Sequence, residues 1–281
     1  MEKKKVAASP ELYKTGLLRA SALFALLAAL TGIVGVALLF FGDYQQFLVE
    51  KLLTGGITAS SAVLTWQTIN SAITVLCFLC PAVLAVGLIR VLCKDISGGF
   101  SFLSNWFYGA FRTGKVLGIG LAALFALRVV RFVIGCLGDP QAVMNLYSMM
   151  ISEGLMGVLA WFLYRNLLRF LEGAGDCCVN LAYTLSTGLI DEWPIPGSAE
   201  RGFLVLGILC PLWAMGQIVT VTIVVNHIQS YYSLIWASHP GEYLAAASLI
   251  FNGITCILMR AYLRRYNRIC EWEKYQARKQ A

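Results

Sequence analysis

Leu88-Ile89-Arg90-Val91-Leu92-Cys93-Lys94 closes a long apolar segment of this chain. Leu163-Tyr164-Arg165-Asn166-Leu167-Leu168-Arg169 and Leu258-Met259-Arg260-Ala261-Tyr262-Leu263-Arg264 close two more, all fitting Leu-x-Arg-x-x-(Leu/Cys)-(Lys/Arg). Working back from each exit, an apolar run leads to a polar corner, and a second run leads from the corner to a basic-glycine start. The starts are Lys14-Thr15-Gly16, Arg112-Thr113-Gly114 and a degraded Arg201-Gly202. The corners Gly42-Asp43-Tyr44-Gln45 and Gly138-Asp139-Pro140-Gln141 match, Gly and Asp being turn formers. The third unit has Asn226-His227-Ile228-Gln229 instead. A single such exit means little, because a cation at the end of a span complements the helix dipole and snorkels to headgroups. Three in register with matching starts describe tandem hairpins over residues 14–111, 112–200 and 201–270, with a basic tail at 265–281. Such repeats are parallel about an axis along the membrane normal.

Composition agrees. The chain is 58% hydrophobic and 13% charged, whereas about a quarter of residues are charged in soluble domains. Bilayer spans need about 20 apolar residues each. Six candidates fall near residues 16–41, 68–92, 115–138, 144–171, 203–226 and 242–266. The expected fold class is therefore an all-α integral membrane protein, six transmembrane helices in one polytopic domain arranged as three tandem hairpins. The run from Leu17 to Phe41 exceeds the roughly 7–15 residues of a signal-peptide core and reads as a retained helix.

The net charge of +7 does not mark a nucleic-acid surface, because the basic residues are sorted along the chain. Lys3, Lys4, Lys5, Lys14 and Arg19 precede the first span. Arg90, Lys94, Arg112 and Lys115 flank the second connection, and Arg165, Arg169 and Arg201 the fourth. Arg260, Arg264, Arg265, Arg268, Lys274, Arg278 and Lys279 end the chain, while the alternate connections hold only Lys51. Lys and Arg are retained inside. This places both termini in the cytoplasm, with external connections at 43–67, 139–143 and 227–241, in a cell membrane, expected to be a bacterial cytoplasmic one.

Two connecting stretches carry apolar residues at helical spacing: Leu103, Trp106, Phe107, Ala110 and Phe111, then Cys178, Leu181, Ala182, Leu185 and Leu189. They read as short amphipathic linker helices lying in the inner interface. Besides the lipid bilayer, the linkers at 96–113 and 176–190 are the expected docking surface for a cytoplasmic protein or a separate ATPase. Asp191-Glu192-Trp193-Pro194-Ile195-Pro196-Gly197-Ser198 breaks any helix, since its prolines remove donors and fix φ. Tyr231, Tyr232 and Trp236 suit the headgroup belt.

Chemistry is sparse. Cys77 and Cys80 form a Cys-x-x-Cys before Pro81, but no second pair completes a tetrahedral set, and Cys136, Cys210 and Cys256 stand alone in apolar runs. His227 and His239 lack thiol or carboxylate companions, so neither a metal nor a cofactor is expected. No zinc helix, nucleophile elbow or phosphate loop occurs, and no catalytic residue is assigned. What remains lies at membrane depth: Arg128, Arg131, Glu153, Gln217, Thr220, Asn252 and Thr255, with Pro81 and Pro211 as kink formers. Arg128 and Glu153 are equidistant from a turn point between Pro140 and Gln141, which pairs them across the second hairpin. Two functions fit. One is a permease-like protein or transporter subunit whose polar groups line a midplane site for a small, anionic solute. The other is a non-transporting regulatory, immunity or assembly protein, whose polar groups hold helices together and whose linkers bind a cytoplasmic protein.

Overall fold

The computed structural model describes residues 7, 16–41, 81–93, 95–136, 142–190, 196–228 and 239–279; for part of these, chiefly within 121–163 and 220–228, it describes the backbone alone. Among the described residues the chain is all-helical: α1 (Gly16–Phe41), α2 (Pro81–Leu92), α3 (Ile96–Cys136), α4 (Ala142–Thr187), α5 (Gly197–Ile228) and α6 (His239–Lys279). An isolated antiparallel bridge joins Ala7 to Leu189. Three stretches, Gly16–Gly35, Gly197–Val219 and Gly241–Lys279, are long and apolar enough to cross a membrane. The span at 16–41 agrees with the reading from sequence. Of the span at 68–92, residues 68–80 lie outside the described residues, as do the connections 43–67 and 139–141.

The connecting stretches differ from expectation. Residues 96–113 and 176–187 are not separate helices: the first opens α3 and the second closes α4, as uninterrupted continuations of the spans. With a rise of about 1.5 Å per residue, the 41 residues of α3 and the 46 of α4 run to roughly twice the ~30 Å hydrocarbon thickness. The cause is packing. Phe100, Leu103 and Phe107 of α3 and Cys177, Cys178, Leu181 and Leu185 of α4 are buried together, with Leu84, Leu88 and Val91 of α2 and Met259, Tyr262, Leu263, Tyr266 and Cys270 of α6. An apolar face covered by protein has no need of a lipid surface.

Local chemistry sets the turns at this end. Asp95 sits just before α3 and accepts from the Gly98 amide at 3.0 Å, capping the helix, while it pairs with Arg90 of α2 at 2.9 Å. The α2–α3 turn is thereby only a few residues long. α4 stops at Gly188, whose φ of 69° is left-handed and whose amide bonds the Thr184 carbonyl at 3.0 Å. Of the expected break at 191–198, residues 191–195 lie outside the described residues, Pro196 precedes α5, and Gly197 and Ser198 already open that helix.

Neighbouring helices pack α1 on α6, α6 on α5, α5 on α4 and α4 on α3. Contacts along α1 and α6 run antiparallel: Phe24 meets Phe251, Ala28 accepts from Ser248 at 2.6 Å, and Gly35 faces Gly241 and Ala245. The starts of α1, α3 and α5 and the ends of α2, α4 and α6 therefore gather at one end of the bundle. Within the apolar stretches the pattern of a soluble protein is inverted. Ala22, Ala25, Ala28 and Ala29 of α1 are buried while Leu23, Leu26, Leu30 and Ile33 are exposed. Small residues inward and large apolar residues outward is the arrangement of helices whose solvent is lipid.

Glycine matters most where α2 meets α3. A Cβ on Gly99 would lie 2.7 Å from the Gly87 carbonyl oxygen and 2.6 Å from Val91 Cγ2, whereas one on Gly109 meets nothing within 4 Å. Gly99→Ala is expected to cost about 1–3 kcal/mol of overpacking and to lower the thermal midpoint in detergent. Gly109→Ala in the same helix should raise it, by about 0.5–1 kcal/mol of helix propensity. Equal midpoints for the two variants would contradict the α2–α3 contact.

Candidate functional site

The polar residues picked out at membrane depth separate into two groups. Gln217 and Asn252 are both buried in α5 and α6. The Asn252 amide donates to Cys210 Sγ at 3.8 Å, beside a tight contact of these helices, where a Cβ on Gly253 would meet Pro211 Cδ at 2.7 Å. Asn252 Oδ1 has no bonding partner among the described residues. Thr255 is fully buried and returns its hydroxyl to the Phe251 carbonyl at 2.9 Å. Pro211 lies inside α5 as expected, and its ring fills the contact. Asn252 and Pro211 thus lie at the α5–α6 contact, while Thr255 bonds within its own helix.

Arg128 and Arg131 lie in α3 and Glu153 in α4, with only their backbone described. Thr220 lies in α5 on the same terms. Cys77 and Cys80 fall outside the described residues. His239 opens α6, and His227 sits in the last turn of α5, so the Asn226–Gln229 corner is helical through Ile228.

The three signature arginines have different surroundings. Arg90 stands in the last turn of α2, half-exposed and paired with Asp95. Arg165 is exposed within α4, well short of Thr187. Arg260 lies well inside α6, half-buried, 3.7 Å from Glu200 of α5, which also accepts from Arg264. The exits thus match in sequence but not in helix position: one terminates a helix and two are passed through by theirs. The starts behave alike, Gly16 opening α1 and Gly114 lying in the interior of α3.

A second set of polar contacts lies in the packed end of the bundle. Tyr266 of α6 donates to Thr184 Oγ1 at 2.7 Å and reaches Asn180 Oδ1 at 3.3 Å, both on α4. Tyr108 of α3 donates to Asp176 of α4. Tyr164 donates to the Gly114 carbonyl at 3.0 Å. Around them, Phe107, Phe170 and Phe203 stack edge-on from α3, α4 and α5. Sequence spacing carried no sign of these contacts, since residues on helices far apart in the chain have no shared period. Among the described residues no group of His, Cys, Asp and Glu could hold a metal ion.

No protein-family model, curated protein or solved structure matches the chain. The site is therefore read from its own residues. Burial pushes the Cys177 thiol well above its usual range, helped by Cys178 and Asp176, and burial pushes Cys178 from 9.0 to about 12. Tyr108 rises from 10.0 to about 12 through burial and its bond to Asp176. Buried, protonated thiols are inert. Cys93 is exposed. At pH 8 a maleimide should label Cys93 within minutes and leave Cys177, Cys178 and Cys256 unmodified until denaturant is added. Peptide mapping by mass spectrometry reads the result, and labelling of Cys178 in the folded protein would contradict the packing.

The same shifts fix a pH dependence. A pKa raised in the folded state means that the folded chain holds its protons more tightly. The stability contributed by Cys178 and Tyr108 is complete below pH about 9 and is lost as pH rises toward 12. Thermal midpoints should thus fall steadily above pH 9, with a shallower fall in Cys178→Ala.

Proposed function

We propose that the chain is a six-span protein of the cytoplasmic membrane, with both termini inside, that acts as a regulatory or assembly protein through the helical body at its cytoplasmic end. The observation that carries this reading is the continuation of α3 and α4 beyond their apolar stretches into a shared core with α6. Residues 96–113 and 176–190 build that body, and their outward faces are the expected docking surface. Ser97, Ser101, Asn105, Gly109 and Arg112 are exposed along α3, and Asp176, Val179, Tyr183 and Ser186 along α4. Val179 and Tyr183 are apolar surface at 49% and 37% exposure, facing away from the core. Polar residues inside the spans are already engaged between helices, as Ser248 is with Ala28 and Asn252 with Cys210; in this reading they serve as helix glue.

The topology is tested by single-cysteine probes and an impermeant maleimide on whole cells. Probes at Gln45 and Ser233 should label, and probes at Ser198 and Gln276 should not; the reverse pattern would overturn the orientation. The function is tested by a photo-crosslinking residue placed at Val179 or Tyr183, and separately at Val205 or Leu212 on the outward face of α5. Discrete protein adducts are expected at the first two and lipid adducts alone at the others. No protein adduct at 179 or 183, together with saturable anion uptake by the purified chain in liposomes, would favour the permease instead.

The permease-like reading keeps one observation of its own. Gly114 of α3 meets Leu168 of α4, and Gly118 meets Tyr164, so each step of four along α3 is matched by four steps back along α4. Continued ten residues, that register brings position 128 level with position 154, next to Glu153. Intramembrane charges find a mate or face a cavity, and Arg131 would then be the excess cation available to an anionic solute. Loss of one member of a buried pair costs about 3–5 kcal/mol, because the other charge is left alone. Glu153→Gln should lower the thermal midpoint, and adding Arg128→Gln should partly restore it. Additive losses would mean that the two residues never pair.

A further inference from the structure

Arg260 closes the apolar stretch of α6, yet the helix runs on to Lys279. Cys270 is its last residue in the buried core. Past that point α6 still carries large rings in the open: Trp272 is 59% exposed and Tyr275 50%. Their centroids lie 6.1 Å apart, so the two form one continuous patch. Arg268, Trp272, Tyr275 and Lys279 follow one another at steps of four, three and four, which puts them on one helix face. Tyr262, Leu263, Tyr266 and Cys270 are buried on the opposite face.

Depth decides what the rings can meet. At about 1.5 Å per residue, Trp272 stands about 18 Å beyond Arg260. Headgroups add only roughly 5–8 Å to each side of the hydrocarbon. With α6 ending inside, the rings lie beyond the headgroup belt and face water. An apolar patch facing water marks a contact with another molecule. Charge narrows the choice. Lys279 Nζ lies over the Tyr275 ring at 5.2 Å, and among the described residues no carboxylate is in ion-pair distance of Lys279 or Arg268. Glu271 and Glu273 flank Trp272 in the chain and oppose a nucleic-acid backbone or an anionic lipid surface. Trp, Tyr and Arg are the residues that most often anchor protein interfaces. A second copy fits poorly, because in a two-fold pair within one membrane Arg268 and Lys279 would meet their own kind at equal depth.

We propose that this face of α6 is a docking site for a different protein, entering an apolar cleft whose rim carries carboxylates opposite Arg268 and Lys279, about 16 Å apart. Trp272 and Tyr275 are the anchors, and the two cations set the register. The proposal rests on the orientation above, in which α6 ends inside, and not on the docking surface of α3 and α4.

The test uses the full chain in cells, with a photo-crosslinking residue at Gln276, which is half-exposed beside both rings. Adducts are mapped to the partner peptide by mass spectrometry. A discrete protein adduct is expected, on a segment that combines apolar residues with Asp or Glu. Trp272→Ala and Tyr275→Ala should each lower its yield at least about tenfold, the loss typical of an aromatic anchor. Arg268→Glu should lower it as well, and Arg268→Lys should largely keep it. Tyr243→Ala removes an exposed ring at the far end of α6 and should change nothing. Thermal midpoints equal to wild type in detergent show that the variants keep the fold; should Trp272→Ala lower its midpoint, the exposed change Arg268→Glu decides alone. No adduct would overturn the site, as would an adduct indifferent to both Trp272→Ala and Arg268→Glu. Adducts only to lipid, to nucleic acid or to a second copy would overturn it too. Maleimide labelling of Gln276 from outside the cell would instead defeat the orientation on which the proposal rests.

Discussion

Hydrophobic burial drives helices together only where water is the alternative, and that constraint orders this structure. Between apolar stretches the medium is as oily as the side chains, so association depends on close backbone approach and a few hydrogen bonds. Those contacts are what α1, α5 and α6 make: alanines and glycines face inward, Gly207 and Gly253 let two backbones touch beside Pro211, and Ser248 bonds across to Ala28. Bulky residues are buried instead at the end where six helix termini gather. Phe100, Phe107, Phe170, Leu181, Leu263 and Tyr266 form a core of the kind that water exclusion sustains.

From this division follows the length of the helices. A span that stopped at the membrane surface would leave Leu103 and Phe107, or Leu181 and Leu185, to lie on lipid or in water. Continuing α3 and α4 as single helices buries them against α2 and α6 and leaves no backbone group unbonded at a break. The capped turn at Asp95 and the left-handed Gly188 mark where that solution ends. Within the packed body the buried Tyr266 hydroxyl is bonded to Thr184 and Asn180, as burial favours.

Much of this was legible in the order of residues, and the limits have physical causes. The first span agrees with α1 over Gly16–Phe41, a single apolar run with no competing pattern. The apolar spacing of residues 103–111 and 178–185 is helical as expected, with Leu189 beyond the end of its helix, but the face it makes is covered by protein. An amphipathic face looks the same whether lipid or another helix covers it, and only the fold shows that α2 and α6 do so here. The arginine exits are a sequence pattern that helix boundaries do not follow, since snorkelling places a cation at a given depth whether or not the helix stops there. Asn252 and Gln217 were singled out for polarity at depth and are indeed buried. Asn252's engagement with Cys210 depends on the register of α5 against α6, which no local spacing encodes.

Spin labels placed in turn at Ser97, Ser101, Asn105, Gly109, Arg112 and Val116, all on the exposed side of α3, test the central claim most directly. Power saturation in liposomes, with oxygen and a water-soluble nickel complex as relaxants, reports the depth of each. A helix that continues straight out of the bilayer requires depth to change steadily, by about 1.5 Å per residue, with Ser97 farthest into water. Labels from 97 to 112 at one constant interfacial depth would mean that this segment lies flat on the membrane, and the packed helical body described above would not exist.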